Sequence, residues 1–454
     1  MGTIYVDTGG AATNSGSTDQ NTANLSGTGD ATVSGSVIQL TAGTDLSGVV
    51  TSGATQSSIY LAQATNANQK IFWITAKDDA LDQVTVSVAP TGVTGSNWAI
   101  GGRFVWTPAS IEATLVAGDV VVLNNSPAAV SSGSWLTGRA AGSQAAGPIK
   151  VKGKTGVRPV VTQNNTSSLI NNSQNNWWYE NFETAQTGAS GSAIVSSGLY
   201  NWLYNMKSSD AGQSGAALGG YNRVLASEFT GSGSSAAVLF NNQLGCYLHG
   251  NHIHDNASDG FGFTGGQNGT FVVLSKNIFD TNAGRGMLFS GAFTTGSNTI
   301  WLDGNTVYGS GDSGLEVTDA DAVVVNINNI FSENGNAAGE CNIEHVAAAA
   351  ELLGFHGWNV FYHSGGGGGA NLSNLIVDSQ VASSEFTTDP LFTNAAGGDF
   401  GIGATSPAKA TGFPGQFLGG SLGYLDIGAV QRQEPAGGGG PVAQRTLATN
   451  IGTH

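Results

Sequence analysis

A short phrase, led by asparagine in its clearest copies, recurs through the second half of this chain of 454 residues. The clear copies begin at Asn251, Asn277, Asn305, Asn329 and Asn359, and weaker copies begin at Glu180, Tyr204 and Ser227. Successive copies are 23 to 30 residues apart. Self-similarity at a period of this length is the signature of repeat architectures, in which each structural unit stacks on the next.

Each period contains three short apolar runs separated by polar turns. In one period these are a glycine-led run at 260–263, a run at Phe271–Leu274 and the phrase at Asn277–Asn282. Three strands in about 25 residues are the unit of a right-handed parallel β-helix, whose stacked coils pair at about 4.8 Å and bury a continuous core. A leucine-rich repeat is disfavoured because its Leu/Asn consensus is missing, and a propeller blade needs about 40 residues.

The recurring asparagine is expected at a turn, where its amide bonds to the asparagines of the coils above and below. Such a ladder satisfies buried turn groups and tolerates a left-handed backbone, so we interpret these asparagines as structural. The composition agrees with an all-β chain of tight turns, because it contains 69 Gly and only 10% charged residues. Ordinary domains have about 7% Gly and about 25% charged residues.

The repeat divides the chain into three regions. Residues 1–108 lack it and are expected to form a small β-rich attachment or capping domain, with one short helix around residues 76–82. Residues 109–434 are expected to form the β-helix. Residues 435–454 are expected to be a Gly/Pro linker and a C-terminal tail.

The charge balance argues against several partners. The chain has 15 basic and 31 acidic residues, which gives a net charge of −16. Nucleic acids and anionic membranes attract clustered Lys and Arg, so we expect neither as a partner. The N-terminus has no secretory-signal pattern, and no apolar stretch is long enough to span a membrane. Two cysteines cannot make a disulfide framework, so Cys246 and Cys341 are expected to be small buried residues.

The C-terminal part carries a recognisable succession of motifs. They are Thr388–Phe392, Gly398–Phe400, Thr405–Ala408, Gly412 and Asp426–Gln431. This succession resembles the closing segment of right-handed β-helix proteins of the pectate-lyase-like superfamily, with Ile402 where those chains have Leu. The resemblance covers about residues 112–432. It implies the fold and says little about chemistry, because that superfamily mixes lyases, hydrolases, adhesins and phage spikes.

A second resemblance concerns the region before the repeat. The segment Trp98–Arg103 is similar to leader regions of β-helix proteins encoded by tailed bacteriophages. The resemblance implies a structural virion protein (capsid decoration, head fibre or tail spike) that forms a homotrimer and contacts other virion proteins. The alternatives are a polysaccharide lyase or glycoside hydrolase on the same fold, and a secreted, extracellular cell-surface adhesin.

Strand register places candidate glycan-binding residues on one surface. If the leucines of the middle strand point inward, Arg223, Tyr247 and Trp301 lie in one outward column. Exposed aromatic and guanidinium groups suit stacking on a surface polysaccharide, and they also suit a subunit interface. The motif sets of polygalacturonases and pectate lyases are not recognisable in the sequence, so we expect no catalysis.

Two further sets are the catalytic candidates if the protein is an enzyme. His249, Ser275 and Asp303 share the next outward column, which puts His249 about 10 Å from Asp303, too far for a hydrogen-bonded pair. His254 and Asp280 fall on adjacent coils at about 5 Å, where a simple ion pair is the alternative interpretation.

Metal binding has weaker signals. His252 and His254 share a strand face, but no Cys/His framework accompanies them, so a zinc site is disfavoured. Glu316, Asp319 and Asp321 are the candidate ligands for Ca²⁺, the one cofactor we consider. A solvated turn is the favoured interpretation of these three acids.

Overall fold

The computed structural model describes residues 3–11, 24–52, 56–64, 71–101, 115–126, 133–138, 140–188, 190–209, 211–291, 298–318, 322–335, 341–345, 355–364, 372–373, 379–380, 385–409, 411–413 and 426–431. The main body is a parallel β-helix with three faces, which confirms the fold expected from the repeat. No α-helix occurs in these ranges, and a 3-10 turn spans Ala395–Gly397.

The three faces consist of parallel strands that pair from coil to coil. Face 1 contains Ile170–Asn172, Ile194–Ser196, Ala216–Leu218, the first parts of Val238–His249 and Phe261–Ser275, Met287–Ser290, Leu315–Val317, Ile343–His345 and Leu372–Ser373. Face 2 contains Thr3–Ala11, Val120–Leu123, Ile149–Gly153, Trp177–Glu180, Trp202–Tyr204, Asn222–Leu225, the second parts of Val238–His249 and Phe261–Ser275, Asn298–Asp303, Ala322–Ile327, Phe355–Gly357 and Ser379–Gln380. Face 3 contains Val160–Gln163, Glu183–Gln186, Lys207–Ser209, Glu228–Thr230, His252–His254, Ile278–Asp280, Thr306–Tyr308, Ile330–Ser332 and Val360–Tyr362.

The core forms because each strand alternates inward and outward side chains, and the inward ones stack from coil to coil. On face 2 the inward row is Leu203, Val224, Leu248, Leu274 and Leu302, all fully buried. The inward row of face 3 is Phe229, Ile253, Phe279, Val307, Phe331 and Phe361. A single coil would leave its inward side chains exposed to water above and below, so the stability of the fold comes from the stacking of coils.

The asparagine ladder lies at the turn between face 2 and face 3. Asn251 Nδ2 donates to Asn277 Oδ1 at 2.8 Å, Asn277 donates to Asn305 at 3.0 Å, and Asn305 donates to Asn329 at 2.9 Å. The left-handed residue is the one before each ladder position, as at Lys276 and Asn328, with φ of 54° and 59°. The hydrogen-bonded asparagine ladder is therefore confirmed. The left-handed backbone conformation is found at the residue that precedes each asparagine and not at the asparagine itself.

A closed six-stranded barrel is formed by the chain segment that connects the first two strands of face 2, which pair directly with each other. Its strands are Leu25–Ser34, Val37–Gln39, Ser58–Leu61, Ile71–Asp78, Gln83–Val86 and Thr94–Ile100. Trp73 belongs to the same core cluster as Ile4 and Val121, and its indole N–H donates to Asp119 at 3.0 Å. The barrel thus packs on the N-terminal end of the β-helix core.

Two features of the N-terminal region differ from simple sequence expectations. The helix expected at residues 76–82 is wrong, because Ile71–Asp78 is a strand paired with Gln83–Val86 and this pairing outweighs local helix preference. Strand Thr3–Ala11 pairs with Val120–Leu123 on face 2, although it precedes the barrel. The division of the chain at residues 108 and 434 stays a prediction, and the tail at 435–454 lies outside the described residues.

The C-terminal segment, residues 385–409, 411–413 and 426–431, covers the outer side of face 3 in the last coils. It contains the short hairpin Phe392–Asn394 and Asp399–Ile402. Outward Ile330 and Val360 form a buried cluster with Ile402, Ala408 and Ile427. The motif succession that closes the sequence therefore supplies an apolar cover for strands that would otherwise face water.

Candidate functional site

Face 2 carries a continuous outward column of large side chains. In register from coil to coil, the column contains Lys150, Trp178, Trp202, Arg223, Tyr247, Val273, Trp301, Val325 and Phe355. The strand register thus brings Arg223, Tyr247 and Trp301 into one column, as the sequence indicated. Sequence patterns alone did not single out Trp178 and Trp202, although extending the same alternation to the two coils before Arg223 reaches both.

Trp178 and Trp202 are stacked on each other inside this column. Their ring centroids are 4.5 Å apart and their planes are inclined by 13°. Lys150 Nζ lies 4.4 Å from the ring centroid of Trp178, and the guanidinium carbon of Arg223 lies 4.7 Å from that of Trp202. Lys150 lies on the coil before the tryptophan pair and Arg223 lies on the coil after it. The outer faces of both indole rings are therefore covered by cations of the protein itself. This part of the column stabilises the surface and presents mainly ring edges to a ligand.

Exposed aromatic side chains are concentrated on face 2 and at the turn that enters it. They are Tyr200, Tyr204, Tyr221, Phe271 and Trp301. Among the described residues of the coils between 115 and 364, every other Phe, Tyr and Trp is buried or half-buried. Tyr200 and Tyr221 stack on each other with centroids 5.3 Å apart and planes inclined by 8°. Sequence patterns did not single out these two tyrosines, because they lie in turns.

The column of His249, Ser275 and Asp303 has the expected register but contains no His–Asp contact. His249 Nδ1 is 2.8 Å from Ser275 Oγ, and Asp303 accepts a hydrogen bond from Asn328 at 3.1 Å. Burial lowers the pKa of His249, and the nearby Lys276 ammonium lowers it further, while the Asp303 carboxylate opposes both effects. The net direction favours the neutral ring beside the Ser275 hydroxyl.

A cluster of histidines and acids lies on face 3. Asp280 is in register with His254, yet its carboxylate contacts His252 Nε2 at 2.6 Å. His254 instead lies between Asp255 at 2.8 Å and Glu228 at 3.4 Å. The expected cross-coil pair of His254 and Asp280 is thus replaced by a diagonal contact, because the two imidazoles stack with centroids 4.0 Å apart and His252 takes the position nearest the carboxylate.

The candidate calcium ligand Glu316 is buried and contacts Arg285. Arg285 Nε donates to Glu316, and its other nitrogens lie 3.4 Å from Asp312 and 3.5 Å from Asp259. Burial raises the pKa of Glu316, and the neighbouring acids add to this effect while Arg285 opposes it. Asp319 and Asp321 lie outside the described residues.

The carboxylate oxygens of Asp312, Glu316 and Glu344 lie within 4.8 Å of one another, which is a spacing a cation could use. Ca²⁺ takes six to eight oxygen ligands, however, and here the Arg285 guanidinium already provides the positive charge among these acids. The three carboxylates therefore fit the Arg285 guanidinium better than they fit a calcium ion.

No known family model matches the sequence, and no curated protein matches it either. Solved structures with a similar fold include pectate lyase Pel9A, at 13% identity and a TM-score of 0.45, over 71% of this chain and 90% of that chain. Another is the periplasmic alginate epimerase AlgG, at 11% identity and a TM-score of 0.32, over 59% of this chain and 78% of that chain. Within the described ranges, no helix has the length and apolar character that crossing a membrane requires.

Proposed function

We propose that this protein binds a polysaccharide along face 2 and does so as a structural component, without cleaving it. The observation that carries this function is the concentration of exposed aromatic rings on one face of the β-helix, including Tyr204 and Trp301. Sugar rings offer C–H faces to aromatic side chains and hydroxyl groups to polar ones. Arg223 and His249 supply polar groups on the same face.

The charges on face 2 support binding more than cleavage. Among the described residues of its strands after Ile149, the outward carboxylates are Glu180 and Asp303. They are five coils apart in register, which is about 24 Å. The two carboxyl groups of glycosidases are about 5–10 Å apart, so these two acids cannot act on one glycosidic bond.

Binding is tested with the full-length protein on a microarray of pyranose oligosaccharides and bacterial surface polysaccharides. We expect saturable binding to a subset of glycans, and no release of reducing ends or unsaturated products from the glycans bound. Absence of binding to every glycan, or release of such products, would overturn this function.

The proposed setting is a tailed-bacteriophage particle, in which the protein is a capsid decoration, head fibre or tail spike. The resemblances of Trp98–Arg103 and of residues 112–432 support this setting, and they imply a homotrimer that contacts other virion proteins. Light scattering of the purified protein tests the assembly. A mass of three chains supports the virion role, and a mass of one chain at micromolar concentration contradicts the trimer.

Cleavage of a polysaccharide is the second candidate, because one pair of residues has the form of an acid–base group. The carboxylate of Asp280 is almost fully buried and contacts the half-buried imidazole of His252, an arrangement that orients a general base. Product release that persists in a Trp301→Ala variant and is lost in His252→Ala would favour this second function.

A further inference from the structure

One phenylalanine of the C-terminal segment is fastened to the turn between face 2 and face 3. Asn328 Nδ2 donates to the carbonyl oxygen of Phe413 at 3.0 Å, and the Phe413 N–H donates to Asn328 Oδ1 at 2.6 Å. A primary amide can donate and accept at the same time, so one side chain pairs with both backbone groups of Phe413. This two-point contact fixes the position and the direction of the Phe413 backbone.

The same amide connects Phe413 to the outer surface of face 2. Asn328 Nδ2 also donates to Asp303 Oδ1, at 3.1 Å. Asp303 belongs to the outward column of His249 and Ser275 on face 2. The backbone of Phe413 is therefore separated from this column by a single amide group.

The ring of Phe413 belongs to an aromatic cluster with two residues of the last coils. Its centroid lies 4.6 Å from that of Trp358, with the planes inclined by 43°, and the Trp358 centroid lies 6.1 Å from that of Phe355. Phe355 is in the outward column of face 2 that runs through Trp301 and Val325. Trp301 and Phe355 are two coils apart, which is about 10 Å. The cluster thus continues the aromatic surface of face 2 beyond Trp301.

Phe413 differs from the other described phenylalanines of the C-terminal segment. Phe392 and Phe400 pack on Tyr308 of face 3, with ring centroids 5.9 and 5.4 Å away, and Phe386 is half-buried. Those three rings help to cover the last coils. Phe413 is 39% exposed although its backbone is fastened in place. A fixed aromatic ring left in water beside face 2 is available to a ligand that brings an apolar surface.

We propose that Phe413 is a glycan-binding residue that the C-terminal segment adds to face 2, and that Asn328 is the residue that positions it. The proposal rests on the glycan-binding function and adds to it one contact at the C-terminal end of the surface. The occupant is a pyranose unit of the same glycan chain that contacts Trp301, because both rings belong to one aromatic surface. The C–H face of the sugar packs on the exposed part of the Phe413 ring. This end of the site is complete only with the C-terminal segment docked on Asn328.

The test uses the oligosaccharide that gives the strongest microarray signal with the unmodified full-length protein, titrated by calorimetry. We expect Phe413→Ser to weaken binding by about fivefold, because it removes one sugar–ring contact, and Phe413→Tyr to keep binding because it keeps the ring. Leu391→Ser is the matched control, since Leu391 is 41% exposed in the same segment but lies beside the hairpin on face 3, and it leaves binding unchanged.

The role of Asn328 is tested by coupling. Asn328→Gly removes the amide and keeps a backbone that tolerates the φ of 59° at this position. We expect it to weaken binding about as much as Phe413→Ser does. Combined with Phe413→Ser it adds little further loss, because both changes remove the same contact. Losses that multiply in the double variant would contradict the positioning role.

The outcomes separate this contact from the wider function. If the unmodified protein binds and Phe413→Ser binds equally well, the Phe413 contact is wrong while glycan binding stands. If the unmodified protein binds no glycan on the array, the proposed function itself fails. An equal loss in Leu391→Ser would make the losses unspecific and contradict the contact. A smaller assembly of Phe413→Ser in light scattering, with unchanged glycan binding, would show a contact between copies of the chain and also contradict it.

Discussion

His252 Nε2 lies 2.6 Å from Asp280 Oδ1 on the next coil, although the strand register pairs Asp280 with His254. The Asp280 carboxylate is nearly buried and also accepts a hydrogen bond from Thr281 Oγ1 at 3.2 Å. The contact with His252 therefore gives the Asp280 carboxylate a polar partner in place of the water from which it is buried. A buried carboxylate with two donors is a structural requirement whether or not the cluster has a chemical role.

The first prediction concerns this contact. Asp280→Ala leaves His252 without its carboxylate partner, whereas Thr281 keeps Asp255 as an acceptor at 2.8 Å. We therefore expect the free energy of unfolding to fall by about 2 kcal/mol. Glu228→Ala removes a half-exposed partner of Lys207 and His254, and is expected to cost about 1 kcal/mol or less. Urea denaturation measures both. Equal losses of unfolding free energy in the two variants would show that the burial of Asp280 does not strengthen its contribution to stability.

The second prediction concerns the tryptophan pair on face 2. Trp202→Ala removes the stacking partner of Trp178 and the ring beneath Arg223, and we expect it to lower the unfolding free energy by about 2 kcal/mol. Tyr204→Ala, on the same strand, removes an exposed ring and changes stability by about 0.5 kcal/mol or less. A larger loss in Tyr204→Ala than in Trp202→Ala would contradict the stack.

The third prediction concerns the asparagine ladder. Asn277 donates to Leu248 O and Asn305 Oδ1 and accepts from Asn251, all in the buried interior of the turn. We expect Asn277→Ala to cost about 3 kcal/mol, because several buried partners lose their hydrogen bonds together. Denaturation and limited proteolysis detect this loss. Unchanged values would mean that the ladder is incidental to the turn.

The fourth prediction is a pH dependence. Burial lowers the pKa of His356 to about 4, from an ordinary value of 6.5. The folded protein thus prefers the neutral ring and the unfolded chain binds the proton more tightly. Stability from this group is present above about pH 6.5 and is lost as the pH falls toward 4, by roughly 3 kcal/mol.

The measurement compares the urea midpoint of the unmodified protein with that of His356→Gln between pH 7 and pH 4. The glutamine keeps a polar group beside Asn326 and cannot be protonated, so the variant is expected to lose less stability over this range. Parallel curves for the two proteins would contradict a histidine held neutral by burial.

The fold could be predicted because the repeat encodes it at every coil. The spacing of asparagines from Asn251 onward gave the period, and alternation along the strands gave the outward column of Tyr247 and Trp301. Both rules depend only on local geometry. The strand at Thr3–Ala11 could not be assigned to face 2, because more than a hundred residues separate it from its partner and no pattern marks the pairing.

The candidate site was less predictable, for physical reasons. The choice of His252 over His254 as the partner of Asp280 depends on side-chain rotamers, which strand register does not determine. The stacked tyrosines at 200 and 221 occupy left-handed turn positions where sequence statistics favour Gly or Asn. Their role as exposed rings becomes visible only when the coils are stacked.

The most direct test of glycan binding on face 2 is the crystal structure of the full-length protein with a bound oligosaccharide. We predict electron density for the sugar along face 2, with contacts near Tyr204 or Trp301. Density at the histidine and acid cluster of face 3, or beside Arg285 and Glu316, with none on face 2, would contradict this account.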